Sequence, residues 1–160
     1  DCLLSRGLGD VYKRQRQAYA KRRLHEDELP YFTPGDQALL LQVGEHRVAP
    51  AICYESMFMA HAAAAREHGA DLYLVSVAKT AKGIREGYLH YPAVARELGM
   101  PVLMANCVGP ADTFIGAGGS AAWDSQGCLL ASLDDRIEGL ILLDTGNTSA
   151  VALPLDLRPA

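Results

Sequence analysis

From residue 37 onward the apolar positions fall into short runs divided by glycine-bearing breaks. QALLLQV (37–43), the pair Gly44-Glu45 and HRVAPAIC (46–53) predict two strands joined by a tight hairpin, the second delivering Cys53 to its end. The alanine-rich stretch from about Met57 to His68, closed by Gly69, predicts a helix, and DLYLVSVA (71–78) has the apolar run of a buried strand. A second helix is expected around Tyr88 to Leu98, stopped by Gly99, and then the strand PVLMANCV (101–108). Strands alternating with helices imply neighbouring strands that run parallel inside a covered sheet. Shorter strands without helices follow: GGSAAWD, a Gln126-Gly127 turn, CLLASL and EGLILLDT.

The two ends break this regularity. Residues 1–15, DCLLSRGLGDVYKRQ, show neither the helical nor the strand period and lack the layout of a signal peptide, so they form an unassigned leader. Residues 146–160, with Pro154 and Pro159, read as an extended tail whose VALPLDL run is apolar enough to dock on a partner surface. Between them, 160 residues set the expectation of one domain. Apolar residues make up 49% and charged residues 21%, and no apolar run has the length of a membrane span, which makes the cytoplasm the default location.

Charge is unevenly spread. The net −4 combines a basic stretch, residues 1–23, having seven Lys or Arg against Asp1 and Asp10, with a remainder of eight positive and seventeen negative residues. A basic arm is one signature of nucleic-acid binding, but this one lacks regularly spaced stacking aromatics and precedes an acidic body that repels phosphate. No nucleic-acid partner is expected. Cys2, Cys53, Cys107 and Cys128 are too few and scattered for a disulfide framework, and none forms a C-x-x-C pair. They read as reduced thiols. His61 and His68 lie seven residues apart on one predicted helix, too far to share a metal from adjacent turns, so no metal is expected.

One thiol stands out. A cysteine at the carboxyl end of a buried strand, just before a helix, sits where α/β folds place reactive groups and where helix N-terminal amides stabilise a thiolate. Position alone leaves two readings of Cys53 open, a nucleophile or a small buried apolar residue.

AICYES (51–56) resembles the nucleophile segment of the nitrilase superfamily of carbon–nitrogen hydrolases, and YAKRRLHEDELPYFTPG (19–35) resembles that family's lysine segment. GADLYLVSVA, PVLMANCVG and GGSAAWDSQGCLLASL resemble the strand after the nucleophile helix, the Asn-x-x-Gly strand and the Gly-Ser hairpin, so the resemblance runs from about Tyr19 to Thr145. It implies an α/β chain forming the C-terminal portion of a four-layer α-β-β-α sandwich, with residues 16–145 as a partial hydrolase domain. It also implies an amidase-like enzyme acting on a small amide without a metal or organic cofactor, and at least a dimer when complete.

Carried over by residue, the resemblance makes Cys53 the nucleophile and Lys21 the cation of a Glu-Lys-Cys triad. Glu28 becomes the second carboxylate beside the lysine, and the Tyr54 backbone N–H an oxyanion donor. Glu55 reads as structural. In the loop expected over AKTAKGIREG (78–87), Lys79 or Arg85 is a candidate to recognise a substrate carboxylate. Two departures stand beside the matches. Phe58-Met59 replaces the family's aromatic-Pro pair, and nothing in residues 1–18 resembles the early strand bearing the general-base Glu. The expectation is therefore a truncated or artificially joined reading of a longer gene. The alternatives are a non-catalytic fragment or subunit acting by association, and nitrile hydrolysis or acyl transfer by the same residues.

Overall fold

A computed structural model of the chain describes residues 17–111 and 113–155. The expected hairpin is present: β1 (Leu41–Val43) and β2 (His46–Ile52) pair antiparallel, with Val43 opposite His46 across the Gly44-Glu45 turn. A 3-10 turn, Cys53–Met57, then leads into α1 (Met59–Glu67), which ends before Gly69 at φ +93°. β3 (Leu72–Val77), α2 (Ala81–Leu98) and β4 (Val102–Asn106) complete the alternation. β2, β3 and β4 run parallel, as the pattern predicted.

Two short strands, β5 (Val108–Ala111) and β6 (Phe114–Ala117), form a separate hairpin. β7 (Ala121–Trp123) and β8 (Leu129–Ser132) continue the main sheet antiparallel, giving the strand order β1-β2-β3-β4-β7-β8. β9 (Gly139–Asp144) pairs antiparallel with β10 (Ser149–Pro154). Part of the expected tail is thus a strand of the chain's own hairpin, and residues 156–160 lie outside the described residues, as does the leader 1–15.

The sheet is covered on one side. Tyr73, Val75 and Val77 of β3 join Ala49, Ala51, Val102, Met104 and Trp123 in a core with Tyr91, Val94 and Ala95 of α2. The intervening Leu74 and Ser76 are exposed, Leu74 at 38%, so the expectation of a strand buried on both faces holds for one face only.

The second helix starts seven residues earlier than the pattern suggested, at Ala81 rather than near Tyr88. Gly83 and Gly87 hid it, because glycine weakens a helix interior by about 1 kcal/mol relative to alanine. Here both glycines make room for neighbours. A Cβ on Gly87 would lie 2.9 Å from the ring of Tyr91, and one on Gly83 would lie 3.2 Å from the Lys79 side chain. Gly87, Tyr91, Val94 and Ala95 form the buried stripe that makes this segment helical despite its weak propensity. At the far end of the sheet, Gly127 holds φ +77°, and a Cβ there would meet the Pro92 carbonyl oxygen at 2.4 Å, so the β7–β8 turn can close on α2 only as glycine.

Gly87→Ala tests this packing. On an exposed helix the change stabilises by about 1 kcal/mol; here the clash with the buried Tyr91 ring should reverse the sign, by roughly 1–3 kcal/mol in urea unfolding. A more stable variant would show that the ring yields freely.

Candidate functional site

Cys53 follows directly on the last residue of β2 and takes φ +49°, a left-handed conformation that costs a non-glycine residue on the order of 1–2 kcal/mol. The surrounding bonds over-determine it. The Ser56 hydroxyl donates to the Cys53 carbonyl at 2.6 Å and accepts from the Tyr91 hydroxyl at 2.9 Å. One position earlier on α2, His90 Nε2–H donates to the Ser56 carbonyl at 2.9 Å. Burial lowers the His90 pKa, favouring the neutral ring that makes this bond, and burial pushes the Tyr91 hydroxyl up to about 12. α2 thereby clamps the turn that presents the thiol.

Within the same turn Glu55 is fully buried. Its Oε1 accepts from the Ile52 N–H at 2.7 Å and the Tyr19 hydroxyl at 2.9 Å, and its Oε2 accepts from the Arg22 N–H at 2.7 Å and the Arg23 N–H at 3.3 Å. One carboxylate therefore ties the strand end beside Cys53 to the segment that carries Lys21. Behind it, His61 Nε2 lies 3.1 Å from the Tyr19 oxygen and Nδ1 lies 2.8 Å from the Tyr73 hydroxyl. Because Tyr19 donates its proton to Glu55, its oxygen accepts from Nε2–H, and Nδ1 accepts from Tyr73. This fixes a neutral tautomer, in keeping with the burial that lowers the His61 pKa.

Lys21 is 90% enclosed at its side chain and donates from Nζ to Glu28 Oε2 at 2.5 Å, an oxygen that also accepts from the His25 N–H at 2.6 Å. Burial pushes the Glu28 carboxyl up, but the Lys21 ammonium and the His25 N–H outweigh it and hold Glu28 below its usual range. A row of rings seals the same junction. Tyr54 meets His25 and Phe58 edge-on, each with centroids 5.0 Å apart, and the Arg23 guanidinium sits 4.0 Å above the Phe58 ring. Phe58, where the expected proline pattern is absent, is extended at φ −103° and separates the 3-10 turn from α1.

The structure thus joins the Lys21–Glu28 pair to the Cys53 turn, and the Tyr54 N–H lies in the first turn of the 3-10 helix, where amides lack an intrahelical acceptor. Lys79 follows β3, and Asn106 holds its backbone from both sides: the Lys79 N–H donates to Oδ1 at 2.7 Å, and Nδ2 donates to the Lys79 carbonyl at 3.2 Å. Burial lowers the Lys79 pKa, opposed by the nearby Cys53. Arg85 lies exposed on α2 rather than in a loop, and no hydrogen bond or ion pair joins it to this cluster among the described residues. Tyr19, Ser56, His61, His90 and Asn106 were missed as members of the cluster; Tyr19, Ser56 and Asn106 lie in strings that carry the resemblance, whereas His61 and His90 gave no signal.

Cys53 and Cys107 are partly buried and Cys128 is exposed, all free thiols. The clefts lined by Tyr19, Pro50 and His61, and by Ala18, Gly35 and Leu39, lie on the Lys21-segment side and do not include Cys53. Among the described residues no helix is long and apolar enough to cross a membrane.

The site thus combines a thiol in a left-handed turn at a strand end with a lysine–glutamate pair on the segment that the same turn's Glu55 tethers. The family model for carbon–nitrogen hydrolases matches residues 8–150, and the chain belongs to that family. Curated proteins give no match. Similar solved structures include a variant of the amidase from Nesterenkonia sp. AN1 showing covalent addition of the acetamide moiety of fluoroacetamide at the active site cysteine. It is 26% identical with a TM-score of 0.67, over 86% of this chain and 49% of that one. Another form of that amidase is 27% identical (TM-score 0.66, 87% of this chain, 50% of that one). A third, an active-site variant in complex with butyramide, is 26% identical (TM-score 0.67, 86% and 49%). The chain spans about half the length of these structures, and over that span its mixed α/β fold matches part of the α-β-β-α fold of nitrilase-superfamily amidases.

Glu55→Ala would leave the Ile52, Arg22 and Arg23 amides and the Tyr19 hydroxyl without their acceptor. Each stranded donor costs about 1–3 kcal/mol, less where water reaches it, so denaturant unfolding should show a loss on the order of 3 kcal/mol. A loss below about 1 kcal/mol would mean that the rings alone hold the junction.

Proposed function

We propose that this chain carries the nucleophile and its cation for hydrolysis of a small amide. The observation that supports this most is the Glu55 carboxylate, which couples the Lys21–Glu28 segment to the turn presenting Cys53. Amide carbon is a poor electrophile, so the reaction needs a thiolate, nearby positive charge and donors for the oxyanion.

In this reading the Cys53 thiolate attacks the carbonyl carbon, forming a C–S bond and an oxyanion that the Lys21 ammonium and the Tyr54 N–H receive. The tetrahedral adduct collapses, the C–N bond breaks, and ammonia or an amine leaves with the proton that the Cys53 thiol gave up in becoming the thiolate. Water then attacks the thioester, releasing a carboxylic acid and restoring the thiol. Glu28 pairs with the lysine and aims it. The general base of the resemblance is a carboxylate on an early strand, and no residue of this chain is assigned to it. Butyramide and acrylamide, each bound in a complex of the similar Nesterenkonia amidase, support a small uncharged amide group as the reacting part.

In the complete gene product, Cys53→Ala should abolish ammonia release from small amides, and retained release would overturn the assignment. Lys21→Met should lower kcat by roughly a hundredfold or more, the scale of one lost oxyanion donor.

A pH dependence follows from Glu28. Its folded pKa lies below its unfolded value near 4.3, so the pair contributes fully above that value and is lost as pH falls through the lower folded one. Glu28→Gln should therefore flatten the decline of urea midpoints between about pH 5 and pH 3; an unchanged decline would place the acid sensitivity elsewhere.

A further inference from the structure

The carboxyl ends of three parallel strands bring three side chains to one edge of the sheet. Ile52 pairs with Ser76, and Val77 pairs with Asn106, so Cys53 stands beside Val77, Lys79 lies two residues beyond it, and Asn106 closes β4. In open parallel sheets this edge is where ligands bind. Lys79 is fixed there. Asn106 bonds its amide and its carbonyl, the Ala117 N–H donates to the same carbonyl at 3.0 Å, and the side chain lies across Gly83, whose lack of Cβ leaves room for it.

The two lysines near the thiol differ in their partners. Lys21 is committed to Glu28, whereas Lys79, half-buried, has no ion pair among the described residues. Glu86, the nearby carboxylate, lies 4.0 Å from Lys82 instead. A partly desolvated cation that Cys53 and Glu86 influence without an ion pair gains from a ligand that supplies a direct counter-charge.

We infer that Lys79 is a specificity residue that binds a carboxylate on the acyl part of the substrate, so that the preferred amides are those carrying a second, anionic group. This rests on Cys53 being the nucleophile. It sets the chain apart from the uncharged butyramide and acrylamide bound by the solved amidase.

The test uses the full chain and two alkylating reagents of similar shape, anionic iodoacetate and neutral iodoacetamide, with the rate at each cysteine read by peptide mass spectrometry. The iodoacetate-to-iodoacetamide rate ratio at Cys53 should exceed that at exposed Cys128 by about fivefold, the scale of one solvent-screened charge pair. Lys79→Met should remove the excess, Lys79→Arg should retain most of it, and about 0.5 M KCl should shrink it in the unaltered chain. The salt series stands even if a variant does not fold.

Equal ratios at Cys53 and Cys128 would overturn the inference. So would a Lys79→Met variant that slows both reagents equally, which would place Lys79 on the thiolate rather than on the substrate, or one that changes neither. The nucleophile reading fails separately, if Cys53 reacts with iodoacetamide no faster than Cys107 and Cys128.

Discussion

The site depends on one buried carboxylate. Glu55 has no exposed surface, and its bonds reach residues 30 and more positions away as well as the strand end three positions back. Burying a charge is tolerated only where hydrogen bonds replace its hydration. Three backbone amides and a tyrosine hydroxyl do so here, drawn from the strand end beside Cys53 and from the segment that carries Lys21. The requirement to satisfy that charge is what brings the lysine segment against the turn that carries the thiol.

The thiol turn has its own support from the opposite side. Cys53 holds a conformation that an isolated chain avoids, and α2 maintains it through Ser56, Tyr91 and His90. Because Tyr91 also packs on Trp123 in the core, with ring centroids 5.9 Å apart, the geometry of the turn is continuous with the packing of the main sheet. A rigid sheet edge on one side and a tethered loop on the other hold the Cys53 turn and the Lys21 segment in a fixed relation.

Much of this was legible in the sequence because it is local. The Gly44-Glu45 hairpin, the Gly69 and Gly99 stops and the strand ending at Cys53 each follow from a few adjacent residues, and the parallel pairing follows from their order. What was hidden depends on contacts made across the chain. The first turns of α2 carry two glycines that argue against a helix until Tyr91 and Lys79 are seen to occupy the space they leave. Arg85 consequently moves from an expected loop to an exposed helix face, away from the thiol. Glu55 reads as structural from its position, but nothing in its neighbourhood shows that Arg22 and Arg23 supply its donors. The tail looked unpartnered because the register that pairs Val151 with Leu142 is visible only when both strands are placed.

Residues 17–40 contain neither helix nor strand, and the stretch from Lys21 to Gly35 closes on itself through a Gly35 N–H bond to the Lys21 carbonyl. With little apolar area buried beyond the ring contacts, this loop belongs to the low-stability end of the molecule, whereas the Cys53 turn shares the stability of the core. Lysine and cysteine therefore sit in different cooperative units. Under the proposed function, competence would be a docking equilibrium layered on folding, with mild heat or denaturant releasing the Lys21 segment before the sheet unfolds.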